Sequence, residues 1–454
     1  MNENQKGKEK GNAFDLRKKA LDLLMSYELE GRYVNLLLSS PSLKTLSREK
    51  SAQLTALLYT SVENKLKYDY FIASLSKRSI DKIDLRVKNI LRLGLCQILD
   101  MSSIPDYAAV NETVKLTANP QERSFVNGVL RAAVRSKDNM PYPPKEKNLL
   151  RYLSIKYSMP LPLVKHFCGV YGEEAVEELL KALSEEKNLS LTVNTEKIVR
   201  EDLMAKLSEY EPKSSRYSKN GIILGKKIAP ARLNGFDDGE FFVQDEASRI
   251  AVELLRAERG MTVVDVCSAP GGKAFFAAIK VGTTGRVYSF DIHESKLSLI
   301  EGGAKRLGLD NITVSCRDAT VPCEELFGTA DRVICDVPCS GLGVLSKKPD
   351  LRYKDVSALE ELPSLQYTIL EKSAGYLKAG GYMIYSTCTL NPSENEEITD
   401  KFIKAHSEFA YEPIFFGDLS SENGKLTLLP NIHGTDGFYI ALIKRMDKQN
   451  DRKD

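Results

Sequence analysis

Apolar residues recur at i, i+3, i+4 and i+7 from Phe14 to about Lys137, in the runs ALDLLMSYELEG, SAQLTALLYTSVENKLKYDYFIASL, IDLRVKNILRLGLCQILDM and ERSFVNGVLRAAVRS. One apolar face repeating near every 3.6 residues predicts an all-helical bundle. Pro105 and Pro120 punctuate it, and PYPP at 141–144 reads as a linker. Two further helices are expected within Leu149–Leu183. The alternation LSLTVNT over Leu189–Thr195 predicts a strand, followed by a helix in Ile198–Leu207 and a strand at GIILG, 221–225.

After Phe236 the rhythm becomes strand, then helix, repeated. MTVVDVC (261–267), RVYSFD (286–291), NITVSCRD (311–318), DRVICDVP (331–338) and GYMIYSTC (381–388) are short and almost continuously apolar. Such runs fit strands buried on both faces of a parallel sheet. Helical stretches fall around Lys273–Lys280, Glu294–Leu307 and Ala358–Leu377. The predicted fold is α/β: a doubly wound Rossmann-like domain over 236–447, preceded by an all-α domain over 13–140 and by a linker with a small α+β module over 141–235. Residues 1–12 read as a disordered tail and 448–454 as a polar tail.

Composition narrows the class. Of 454 residues, 42% are hydrophobic and 28% charged, which excludes a disordered or collagen-like chain. No apolar run approaches the ~18–20 residues of a membrane helix. The polar start MNENQKGKEKGN has no secretory core, so no membrane association and a cytoplasmic location are expected. The net charge of +2 hides an asymmetry: residues 1–140 hold 23 Lys and Arg against 16 Asp and Glu, leaving +7 there and −5 in the remainder. That division suits nucleic-acid docking in the first part and chemistry in the second. Arg123, Arg131, Arg135, Lys347 and Lys348 are candidate phosphate contacts. None of the eight cysteines forms a C-x-x-C pair and the four histidines lack ligand spacing, so no metal is expected.

The chemistry gathers at strand ends. The first strand of the α/β domain runs into Cys267-Ser268-Ala269-Pro270-Gly271-Gly272-Lys273 and then a helix, a turn whose glycines let backbone N–H groups approach a ligand. It is neither G-x-G-x-x-G nor a Walker loop, which disfavours a dinucleotide or a nucleoside triphosphate. Asp291, Asp318 and Asp336 close three successive strands, and an acid about 20 residues past such a turn can bind ribose hydroxyls. Cys339 and Cys388 leave the fourth and fifth strands on that same edge. A thiolate there is a nucleophile when a cation lowers its pKa, and Lys273 is a nearby candidate. Cys267, Cys316 and Cys335 are expected to be inert, buried in their strands.

The motifs CSAPGGK (267–273), DVPCS (336–340), STCT (386–389) and Glu394-Asn395-Glu396, with VQDEAS (243–248), Lys348-Pro349-Asp350 and GFYIALI (437–443), resemble in order and spacing the Nop2/Sun family of RNA 5-methylcytosine methyltransferases. The first domain resembles NusB through ILRLGLCQIL (90–99), PDYAAVNETV (105–114) and FVNGVL (125–130). Small departures are Ser268 where Ala is usual and Thr389 where Ser is common. The resemblance implies a class I methyltransferase domain behind a NusB-like RNA-binding domain. It implies S-adenosylmethionine held by Cys267–Lys273, Asp291, Asp318 and Asp336. It implies that Cys388 attacks C6 of cytosine, that Cys339 assists as base, that Asp336 hydrogen-bonds or protonates the base near N3, and that Lys273 orients the base or favours the thiolate. The implied partner is 16S ribosomal RNA, free or in an assembling small subunit, acted on by a monomer. Transfer RNA as substrate, DNA cytosine chemistry with Cys339 as nucleophile, and a non-catalytic NusB-like RNA-binding or antitermination protein remain the alternatives.

Overall fold

The computed structural model describes residues 15–43, 45–353 and 360–447. Both expected tails, the first two residues of the expected helical domain and the start of the Ala358–Leu377 helix lie outside the described residues. The chain divides between Glu177 and Glu178 into two compact units.

The first unit is helical: α1 (Leu16–Glu30), α2 (Val34–Leu38), α3 (Arg48–Glu63), α4 (Lys65–Ser76), α5 (Leu85–Leu99), α6 (Asp106–Val114), α7 (Pro120–Arg135), α8 (Leu149–Lys156), α9 (Leu161–Tyr171) and the start of α10 (Glu173–Ser184). Asp15, Asp84 and Asn119 accept backbone N–H groups at the starts of α1, α5 and α7, and Pro120 occupies the first turn of α7. α5 is the central helix; Ile90, Leu91, Leu93, Leu95 and Cys96 are fully buried on it. Its buried Arg92 is held by Asp69 through two 2.7 Å contacts and by Glu28 at 2.8 Å, so the charge is paired. Where two helices are predicted over 149–183 there are three. Pro160 precedes α9, and Gly172, at φ +82°, ends it.

The second unit begins with a four-stranded antiparallel sheet made from β1 (Ser190–Val193), β2 (Pro212–Ser214), β3 (Gly221–Leu224) and β4 (Phe241–Val243), in the order β2-β3-β1-β4, with α11 (Arg200–Lys206) after β1. β4 lies beyond the expected module, yet pairs with β1 through Leu191 and Val243. The fully buried Arg249 of α12 (Glu246–Leu254) pins this sheet, donating to Thr192 Oγ1 (2.9 Å), Ser190 Oγ (2.7 Å) and Leu191 O (3.1 Å).

The large sheet follows: β5 (Thr262–Asp265), α13 (Gly272–Val281), β6 (Arg286–Asp291), α14 (Glu294–Leu307), β7 (Ile312–Cys316), β8 (Ala330–Asp336), α15 (Leu362–Ala374), β9 (Leu377–Thr387), α16 (Glu396–Ala405) and β10 (Phe409–Tyr411). The hairpin β11 (Ile414–Phe416)–β12 (Leu419–Ser421), then β13 (Lys425–Leu428), α17 (Pro430–His433) and β14 (Phe438–Arg445) complete the chain. The order is β10-β14-β9-β8-β5-β6-β7, with β7 to β9 running parallel, β14 antiparallel to β9, and β13 paired to β14. The doubly wound parallel core is thus extended by antiparallel strands. Central strands are buried on both faces: Val263 and Ile334 point into one core, Val264 and Val333 into the other. β7 departs from that expectation because it is the sheet edge, and Cys316 on it is exposed rather than buried. The order reverses at β5, so the crevice of this fold opens at the carboxyl ends of β5 and β8.

Candidate active site

Adjacent parallel strands deliver the two cysteines together. In the β8–β9 register Asp336 lies opposite Ser386, so the loops that leave these strands emerge side by side. Val337 N donates to Ser386 O (3.1 Å) and Gly343 N to Cys388 O (2.9 Å), which ties one loop to the other. Gly343 must be glycine: a Cβ there would stand 1.9 Å from the carbonyl oxygen of Gly437. The sulfurs of Cys339 and Cys388 stand 3.2 Å apart, and both residues are part-exposed.

The hydrogen bond from Cys339, opposed by burial and by the Asp336 charge, holds the Cys388 thiol below its ordinary pKa, with help from Lys348 and Lys273. That same contact with Cys388, then burial and the charges of Glu394 and Asp336, pushes the Cys339 thiol well up. The pair therefore shares one proton unequally. Of the two, Cys388 is the more acidic thiol and Cys339 the one that holds its hydrogen more firmly.

Asp336 sits beside them with both carboxylate oxygens engaged. Ser386 Oγ donates to one at 2.7 Å and Lys273 Nζ to the other at 2.6 Å. Lys273 also lies 3.4 Å from Ser248 Oγ and 5.3 Å from the ring centre of Phe438. Burial would depress its pKa, but Asp336 and Asp265 carry it above the ordinary lysine value, so it stays charged. Its ammonium acts on Cys388 through the field and holds Asp336 by direct contact.

The turn 267–273 leaves β5 beside this cluster. Gly271 has φ +108°, and a Cβ there would meet the ring of Phe275 at 2.4 Å. Ser268 is buried with its hydroxyl 2.6 Å from that of Ser289; Cys267 and Ala269 are part-exposed and Pro270 exposed. Burial first, then neighbouring charges, raises the Cys267 thiol, which makes it unreactive. Asp291 closes β6 and accepts Ala269 N (3.1 Å) and His293 N (2.9 Å), binding the second loop to the turn. A Cβ on Gly272 would make ordinary contact with the Gln244 side chain, 3.7 Å from its Nε2. A glycine turn with a buried acid at the next strand end fits S-adenosylmethionine: Asp291 would hold its ribose and the start of α13 its carboxylate. Asp318 lies two residues past β7, beside the Asp291 strand end through Arg317 N to Asp291 O (3.1 Å); it is exposed, and Thr320 takes its carboxylate through N–H (2.9 Å) and hydroxyl (2.7 Å).

Several groups here carry no signal in the sequence. Asp265, fully buried at the end of β5, has neither oxygen hydrogen-bonded, and burial pushes its carboxyl up to about 7, against the pull of Lys273. The folded chain therefore holds a proton between pH 3.8 and about 7 that the unfolded chain has released, so this group makes stability fall as pH rises through that window. Asp265→Asn is expected to stabilise the fold more at pH 8 than at pH 4, by up to the order of 4 kcal/mol, read as a larger rise in unfolding temperature at pH 8. Equal shifts at both pH values would contradict it. Lys347, a candidate phosphate contact, is instead taken by Asp245 (2.8 Å) and Asp436 (2.5 Å); burial pushes Asp436 up to about 7. Lys348 remains exposed, as do Arg123, Arg131 and Arg135 on α7 of the first unit. Among the described residues no group of three or more His, Cys, Asp or Glu could hold a metal ion, and no helix is long and apolar enough to cross a membrane.

The family model "16S rRNA methyltransferase RsmB/F" matches residues 252–444, and the NusB family model matches residues 15–135. A Bacillus subtilis protein named "Probable ribosomal RNA small subunit methyltransferase B" is 34% identical over 446 residues, covering 94% of this chain and 98% of its own length. A Synechocystis protein of the same name is 34% identical over 408 residues, covering 86% and 90%. Among solved structures, PH0851 aligns with a TM-score of 0.76 at 24% identity over 95% of this chain and 99% of its own. NSun6 from Pyrococcus horikoshii, solved with SFG, aligns with a TM-score of 0.57 at 21% identity, covering 63% of this chain and 98% of its own.

Proposed function

The chain belongs to the RsmB family of small-subunit ribosomal RNA methyltransferases, and from that premise we propose that it makes 5-methylcytosine in 16S rRNA by covalent attack of Cys388 on the base. It is an S-adenosylmethionine-dependent rRNA methyltransferase. The single observation that carries the cytosine reading is the pair of part-exposed sulfurs 3.2 Å apart at the mouth of the crevice. Carbon-5 of cytosine is a poor nucleophile, and a thiolate bonded to C6 turns the ring into an enamine whose C5 can accept a methyl group. When bound, S-adenosylmethionine supplies that methyl on a sulfonium.

The residues divide the work. Cys388 adds to C6, and the electron pair displaced from the C5=C6 bond is received near N3, where Asp336 would hydrogen-bond to the base or lend it a proton that returns to Asp336 when the C6–S bond breaks. Lys273 holds Asp336 and stays charged, so developing negative charge meets a fixed cation. Once Cys388 is bonded to carbon, Cys339 no longer donates to a thiolate, and the largest of the influences that keep its proton on is gone, while burial and the charges of Glu394 and Asp336 remain. Cys339 then loses that proton to water, takes the proton from C5, and the C6–S bond breaks to restore Cys388. The net yield of one turnover is one methylated cytosine and one released proton. The target base reaches the pocket only from an unstacked or flipped position. The basic first unit, with Arg123, Arg131 and Arg135 exposed on α7, supplies the phosphate contacts that hold the RNA. No metal and no second copy of the chain enter the reading, because every reacting group comes from one sheet edge.

Incubating the protein with methyl-labelled S-adenosylmethionine and 16S rRNA or small subunits, then digesting to nucleosides, tests it. The expected product is label in 5-methylcytosine at one position, and that methyl is missing from 16S rRNA of cells lacking the protein. Label in transfer RNA alone, in DNA, or at another atom of the base would overturn it.

A further inference from the structure

Glu394 is fully buried, and its hydrogen-bond partners include no basic side chain. Its Oε2 accepts Ser340 N (2.9 Å) and Gln366 Nε2 (2.9 Å); its Oε1 accepts Ser340 Oγ (2.5 Å) and Asn391 Nδ2 (3.1 Å). Ser340 follows Cys339, and Asn391 lies three residues past Cys388. One carboxylate thus clasps the two loops that carry the sulfurs. The clasp is reinforced on each side. Gln366 also donates to Pro338 O (3.0 Å), and Asn395 receives Thr387 Oγ1 (2.6 Å) while donating to Thr389 O (3.1 Å). The Ser340 and Thr389 hydroxyls stand 2.6 Å apart within it.

A carboxylate buried without a cation depends on its hydrogen-bond donors. Every one of these partners donates, so the clasp needs an acceptor on both oxygens, which a carboxylate provides and a neutral amide does not. Its charge falls on Cys339, whose next residue gives its backbone N–H to this carboxylate. We propose that Glu394 is the positioning residue of the thiol pair, clasping the two loops so that the sulfurs touch and, by its charge on the Cys339 side, keeping the shared proton on Cys339 so that Cys388 is the nucleophile. The proposal deepens the covalent reading and rests on it. Two trends agree with it: the Glu394 charge is among the influences that raise the Cys339 thiol, whereas Lys348 and Lys273 lower Cys388 from the other side.

Alkylation of the free enzyme reads this polarity without any turnover. The protein is treated with iodoacetamide from pH 5.5 to 9.5 and the two cysteine peptides are quantified by mass spectrometry. In the unmodified chain Cys388 is alkylated ahead of Cys339, with an inflection below that of an ordinary thiol. In Glu394→Gln the ratio of Cys388 to Cys339 alkylation is expected to fall about tenfold, and the Cys388 inflection to move up by the matching amount. Glu394→Asp keeps the charge on a shorter arm. It is expected to keep the preference but lose at least about tenfold in kcat, with KM for RNA unchanged. If the Gln variant does not fold, the Asp variant decides alone. An unchanged ratio in a folded Gln variant, a lost preference in the Asp variant, or an unchanged kcat in the latter would each overturn the proposal. Failure of the covalent reading itself looks different: an RNA adduct on Cys339 would sink that reading and leave the alkylation pattern as it is.

Discussion

Cys388→Ser is expected to abolish methyl transfer to RNA, with a loss on the order of 10⁴-fold or more in kcat, the scale seen when an enzyme loses its attacking group. A serine hydroxyl has almost no alkoxide at neutral pH, whereas Cys388 is held below its ordinary pKa by the Cys339 hydrogen bond and by Lys348 and Lys273. The shorter C–O bond also retracts the attacking atom from the 3.2 Å contact. The substitution leaves the glycine turn and Asp291 untouched, so S-adenosylmethionine affinity by calorimetry is expected within about twofold of the original, as is RNA affinity. That pattern, normal binding with no product, separates loss of the nucleophile from loss of the fold. Ordinary turnover in the serine variant would remove Cys388 from the mechanism. The pH profile gives a second check: the rate should fall as pH drops through the Cys388 pKa, because protonation removes the attacking thiolate.

Cys339 and Cys388 are readable in the sequence as residues that end apolar strands and open into polar loops, because central strands of a parallel sheet show themselves as continuous apolar runs. That the sulfurs touch is not readable. It depends on β8 lying beside β9 in a register that sets Asp336 against Ser386, a long-range pairing between segments 50 residues apart. The same limit hides Glu394, which joins loops 54 residues apart through Ser340 N, although Glu394-Asn395-Glu396 is visible as a motif. Asp265 reads as an ordinary strand residue, and only its complete burial makes it a titrating group. Lys347 looks like a free cation in a basic pair, and only the folded chain brings Asp245 and Asp436 to it. Antiparallel β14 escapes a reading by strand–helix alternation because no helix long enough for a crossover separates it from β13. β7 and Cys316 mislead for the opposite reason: their composition is that of a core strand, and their place at the edge is a matter of topology.

Cys339→Ala is expected to accumulate a covalent protein–RNA complex, seen as a band of reduced mobility on a denaturing gel that forms only with S-adenosylmethionine present. The argument follows from the proton count. Addition by Cys388 and methyl transfer need only a thiolate at 388 and a charged Lys273 beside Asp336, and neither depends on the Cys339 sulfur as a base. Release does: the C6–S bond cannot break until C5 gives up its hydrogen. Alanine removes the thiol that contacts Cys388 at 3.2 Å. Losing the Cys339 hydrogen bond also raises the Cys388 pKa, so the adduct should form more slowly at pH 7 than at pH 9, even though it decays more slowly still. Nuclease digestion of the trapped species should yield a peptide carrying a 5-methylated, 6-thioether pyrimidine at Cys388, which fixes the order of the steps. The complex should vanish in the double variant with Cys388→Ser. Equal trapping by the two single variants would mean that the sulfurs do not have distinct roles, and trapping without S-adenosylmethionine would mean that release does not wait on the C5 proton.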